Sequence, residues 1–121
     1  AGFARYVGRA AHAGDLAAMS IVREAGELMA KKMIGCYSIN HADPKDFPMV
    51  ACGGAWKVHP EMLRVCNDYL AEHMPGAEVR YGIFDPIVAS VIEQILADGK
   101  DPRAYEGFLR DQYKHYVVKV G

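Results

Sequence analysis

The chain has 121 residues, of which 51% are apolar and 24% charged, and its formal net charge is −1. That length fits one globular domain whose core needs no disulfides. The even charge balance argues against nucleic acid or an anionic membrane as an electrostatic partner. The three cysteines, Cys36, Cys52 and Cys66, include no CxxC pair, so neither a disulfide framework nor a zinc site is expected. The apolar stretches are far shorter than a membrane span, and no basic-then-apolar leader is present. Reduced thiols and a cytoplasmic location are the simplest expectation. The chain begins at Ala1-Gly2-Phe3 without Met, which fits tag removal, processing or a piece of a longer protein.

In chain order, residues 3–13 predict a short helix, with Phe3, Val7 and Ala10 or Ala11 at helical spacing. Gly14 breaks it and Asp15 caps the next. Residues 16–34 predict a long helix with Ala18, Ile21, Val22, Ala25, Leu28, Met29 and Met33 on its apolar face. Gly26 inside it suggests close packing, because glycine otherwise weakens a helix by about 1 kcal/mol. A polar connector follows over 35–47. Met49 to Cys52 form a continuous apolar run, expected as a strand covered on both faces, with Cys52 a buried structural thiol. Pro60 opens a helix over 60–73, with Met62, Leu63, Cys66, Tyr69 and Leu70 inward.

Residues 78–83 predict a second, more polar strand. Asp85-Pro86 opens a helix over 86–98 that Gly99 closes, and Asp101-Pro102 opens another to about residue 115. The tail 116–120 reads as a strand or a fray. Tyr105, Phe108, Tyr113 and Tyr116 form either a docking stripe or plain core. His12, His41, His59, His73 and His115 make no HxH or HExxH motif, and His41, Asp43 and Asp46 read as a solvated loop.

The alternation of helices and strands predicts an α/β, three-layer arrangement with parallel strands. Two or three strands are few for such a sheet. The expectation is therefore an incomplete domain, finished by a partner or by self-association.

Gly53-Gly54 sits at the carboxyl end of the first strand, where open α/β sheets bind ligands. Glycine lets backbone approach a ring or a phosphate. The same pair also reads as a tight structural turn with no ligand. Three blocks in one order bear on this choice: AAHAGDLAAMSIVREAGELMA (10–30), VACGGAWKVHPEML (50–63) and FDPIVASVI (84–92). Together they resemble the C-terminal half of the family of N-acetylglucosamine kinases and benzoyl-CoA-reductase-type ATPases. The resemblance spans about residues 3–96.

It implies a ribonuclease-H-like (actin-like ATPase) domain, with residues 1–98 a partial C-terminal lobe and 99–121 a helical extension. It implies ATP or ADP with Mg2+ as cofactor, and an amino sugar as one candidate substrate. Gly53, Gly54, Ala55, Trp56 and Lys57 would lie on the adenosine side. Trp56 and Lys57 then flank the adenine; without a nucleotide, Trp56 packs under the sheet and Lys57 is solvated. The Asp-Gly-Gly-Thr-type phosphate loop, the second phosphate loop and a catalytic Asp have no counterpart in this chain. Ala89-Ser90 stands where the family has a glycine, and the cluster-binding cysteines are missing. The implied partner is the N-terminal lobe of the same protein or a second subunit, with homodimerisation expected. The alternative is a stand-alone α/β interaction module that self-associates and binds no nucleotide.

Overall fold

The structure, a computed structural model, describes residues 2–121. It is a mixed α/β fold, mostly helical, with one two-stranded parallel sheet. The chain divides into two units, residues 2–81 with 120–121 and residues 82–119, so the division falls between Tyr81 and Gly82.

The first unit holds α1 (Gly2–His12), α2 (Leu16–Ile39), β1 (Met49–Ala51), α3 (Glu61–His73) and β2 (Val79–Tyr81). Asp15 caps α2 as expected, its carboxylate accepting from the Ala18 N–H at 2.9 Å. The helix runs on to Ile39, past the expected end at 34. Tyr37 explains the extension: its ring is buried, and its hydroxyl donates to the Phe47 carbonyl, fastening the connector to the last turn. His41 then adopts a left-handed conformation (φ 51°). Its N–H bonds the Ser38 carbonyl at 3.3 Å, and that of Ala42 bonds Tyr37 at 3.0 Å. This is a Schellman end with histidine in the usual glycine place.

The buried stripe of α2 is Ala18, Val22, Gly26, Ala30, Met33 and Tyr37, whereas Ile21 and Leu28 of the expected face are exposed. Small residues win because α3 lies almost on the α2 backbone. A Cβ on Gly26 would overlap the Met62 carbonyl oxygen. From α3, Met62, Cys66 and Leu70 fill the core as predicted, with Leu63 and Tyr69 half-buried beside them.

The strands pair in parallel, Met49 with Val79, Val50 with Arg80 and Ala51 with Tyr81. The outer edge of β2 is covered at one point. Asn67 on α3 accepts from the Val79 N–H at 2.9 Å and donates to the Val79 carbonyl at 3.0 Å, taking the role of a third strand. Two expectations fail here. Val50 is 54% exposed, so β1 is covered on one face only. Cys52 is exposed, not buried, because strand pairing ends at Ala51, the inward residue.

The second unit opens with a 3-10 turn (Pro86–Val88) and α4 (Ala89–Ala97). Gly99 ends α4 as expected, with φ 74° and Schellman bonds to Leu96 and Ile95. Asp101 caps the turn Pro102–Tyr105, accepting from the Arg103 N–H at 3.0 Å, and α5 (Glu106–Gln112) follows. The tail is strand-like: Val117 bridges Phe84 antiparallel, and the Val118 N–H bonds the Ile83 carbonyl at 2.9 Å. Val88 and Leu109 are the buried side chains of this unit. Phe108 and Tyr116 are exposed, while Tyr105 and Tyr113 are half-buried, so the four aromatics do not form one buried stripe. No described helix is long and apolar enough to cross a membrane.

Candidate functional site

At the carboxyl end of β1 the chain turns on Gly53 (φ 101°, ψ 165°), a backbone region open almost only to glycine. Gly54 starts a 3-10 turn that runs to Lys57. Nothing lies within 4 Å of where a Gly54 Cβ would stand, so its missing side chain leaves open space. Gly54 also lines a recess of about 480 Å3, together with Arg5 and Arg9 of α1, Lys57, Val58 and Gly121. The volume lies within the range of small-molecule sites, about 300–1,000 Å3.

Three contacts hold α1 against the turn. Gly8 meets Val58 so closely that an added Cβ would stand 2.7 Å from the Val58 Cβ. His12 donates from Nε2 to the Val58 carbonyl at 3.1 Å. The His12 and His59 rings lie 4.3 Å apart, centroid to centroid. The His59 Nδ1 accepts from the Glu61 N–H at 3.0 Å, which leaves the ring proton on Nε2. Burial, then the neighbouring His12, holds the His59 pKa below the usual imidazole value, against the pull of Glu61. A further bond, from the Gly121 N–H to the Lys57 carbonyl at 2.9 Å, secures the turn from its other side.

Of the five residues singled out in the sequence, Gly54 and Lys57 line the recess, while Gly53 sets the turn and Ala55 is exposed beside it. Trp56 is 6% exposed and packed in the core, so its ring face is not available to a ligand. Arg5 and Arg9 were not among the expected residues. Their signal is legible in retrospect: they stand four residues apart on a helix that contains no acidic residue. Neither guanidinium has an ion-pair or hydrogen-bond partner among the described residues.

The other clusters offer less. Cys36, His41, Asp43 and Asp46 share one surface cavity, yet no group of three or more His, Cys, Asp or Glu among the described residues is placed to hold a metal. His41 is accounted for as the end of α2. The chain matches no protein-family model, no curated protein and no solved structure.

Proposed function

We propose that this chain is a nucleotide-binding lobe, the C-terminal part of an ATP-dependent sugar kinase or ATPase of ribonuclease-H-like fold. The observation that carries the reading is the turn at Gly53-Gly54. It lies at the carboxyl end of a parallel strand and opens a recess faced by two arginines. Open α/β sheets place ligands at that end. The order of the three sequence blocks supports the same reading.

The lobe would contribute backbone at Gly53 and Gly54 and one wall of the cleft. The phosphate loops, the Mg2+ ligands and the base would come from elsewhere, an N-terminal lobe or a second subunit. Phosphoryl transfer rests on positioning and electrostatics, so a lobe lacking those parts binds nucleotide and turns nothing over. The acceptor, an amino sugar in the family it resembles, would be held by that other part.

The test is thermal unfolding with millimolar ADP. A ligand at about 100 times its Kd stabilises by about 2.7 kcal/mol, a clear rise in Tm. Gly54→Val fills open space and leaves the fold intact, so it should abolish the rise and leave the ligand-free Tm unchanged. Absence of any rise in the parent protein, or an equal rise in the variant, refutes the reading.

A second reading has its own observation. Among the described residues no strand flanks β1 on its outer side, and the face that carries Val50 is exposed. An interaction module that pairs through this edge would sediment as a dimer, and Val50→Lys would return it to a monomer without affecting ADP binding.

A further inference from the structure

We propose that the recess beside the Gly53-Gly54 turn holds the phosphate end of its ligand, a diphosphate or phosphate ester gripped by Arg5 and Arg9, and not the adenine. The inference rests on the nucleotide-binding reading and specifies which part of the nucleotide lies there.

Three features point to an anion. The first is that Arg5 and Arg9 are one helical turn apart on α1, with no acidic residue in that helix and no partner among the described residues. Like charges at this spacing destabilise a helix. Arg5 also stands in the N-terminal half, where the helix dipole disfavours a cation. Arg9, in the last turn, is favoured by the dipole, but the repulsion between the two is a cost to α1 that an anion between them would relieve.

The second feature is the fate of the turn's own carbonyls. The oxygens of Lys57 and Val58 would repel a phosphate. Each already accepts a hydrogen bond, from the Gly121 N–H at 2.9 Å and from His12 Nε2 at 3.1 Å. The third is the lack of an aromatic platform. Trp56 is buried in the core, and the recess is lined by no aromatic ring. A purine would find no stacking partner there, whereas a pair of guanidinium forks matches phosphate oxygens.

Isothermal titration of the full chain with inorganic pyrophosphate, and separately with adenosine, tests this. Pyrophosphate should bind. Arg5→Ala and Arg9→Ala should each weaken it by about tenfold, the usual scale for one charge-assisted hydrogen bond. Both residues are exposed, so both variants should keep the parent's circular dichroism and Tm. Gly54→Val, which adds a side chain at a residue lining the recess, should weaken pyrophosphate binding. Binding of adenosine without pyrophosphate would overturn the proposal and leave the nucleotide reading standing. Pyrophosphate binding that ignores both arginine substitutions would overturn it too, as would binding of neither compound, which also removes the nucleotide reading.

Discussion

Gly26→Ala should destabilise the protein, although the same change elsewhere in α2 should stabilise it. In an ordinary helix interior, replacing Gly by Ala gains about 1 kcal/mol. At Gly26 the new methyl would overlap the Met62 carbonyl oxygen and stand 3.3 Å from the Cys66 backbone nitrogen. These neighbours are backbone within α3, so no side chain can swing aside. Helix α3 must move away from α2, loosening the layer in which Ala30 and Cys66 are fully buried. Overpacking of this kind costs about 1–3 kcal/mol, and rigid backbone places it at the upper end. Less the gain in helix propensity, the net loss is about 2 kcal/mol, or roughly 8 °C in Tm for a chain of this size. Gly35→Ala is the control. It lies in the same helix with nothing within 4 Å of its Cβ, and should raise Tm by roughly 4 °C. Thermal unfolding followed by circular dichroism gives both Tm shifts, and urea midpoints give the corresponding free energies. If the two variants shift in the same direction by similar amounts, α2 and α3 are not in backbone contact at Gly26.

The Tyr81 hydroxyl is buried without a hydrogen-bond partner, so Tyr81→Phe should leave stability unchanged or raise it by up to about 1 kcal/mol; a loss beyond 1 kcal/mol in urea would reveal an unseen partner. Glu61 accepts from Arg64 Nε at 2.7 Å and Arg23 Nε at 2.9 Å, and these bonds, Arg64 first, pull its pKa from 4.5 to about 2. A carboxylate depressed on folding stabilises above its unfolded pKa and loses that contribution as pH falls from about 4.5 toward 2. Both arginines are more than half exposed, so the effect should be only about 1 kcal/mol. Glu61→Gln should therefore unfold more easily than the parent at pH 7 and converge with it near pH 2, as read from urea midpoints. Burial pushes the Cys66 thiol up to about 11, while Cys36 and Cys52 are exposed. Alkylation of the native protein, read by intact mass, should add two labels quickly and the third only in denaturant.

The helices were legible in the sequence because their signals are local. Asp15, Pro60, Gly99 and Asp101 each mark a helix or turn boundary where the structure has one. The buried face of α2 was legible in part: Ala18, Val22, Met33 and the close packing at Gly26 follow from the sequence, but hydrophobicity alone ranks Ile21 and Leu28 above Ala30. Which stripe turns inward depends on how closely α3 approaches, and that is a property of both helices. Cys52 misled for a related reason: a run of four apolar residues does not tell how many are paired. Arg5 and Arg9 carry no signal of their own in the sequence beyond their spacing, because their meaning depends on Val58, about fifty positions away. The close contact of Gly8 with Val58 is what makes them part of the turn.

That contact also bears on how a two-stranded parallel sheet is held in place. Such a sheet is too small to be stable by itself. Helix α3 secures β2 through the paired bonds from Asn67, and α1 secures the segment after β1 through Gly8 and His12. The α1 contacts on Val58 thus hold both the segment after β1 and one wall of the recess. A ligand entering it would meet a wall already fixed, with the turn's carbonyls occupied and the Gly54 position open. Preorganisation of this kind lowers the ordering cost of binding. It accounts for Gly53-Gly54 better than a bare turn does: Gly53 is required by its φ, but nothing in the backbone or packing requires glycine at position 54. Gly54 lines the recess with Arg5 and Arg9, whose guanidiniums have no partner among the described residues.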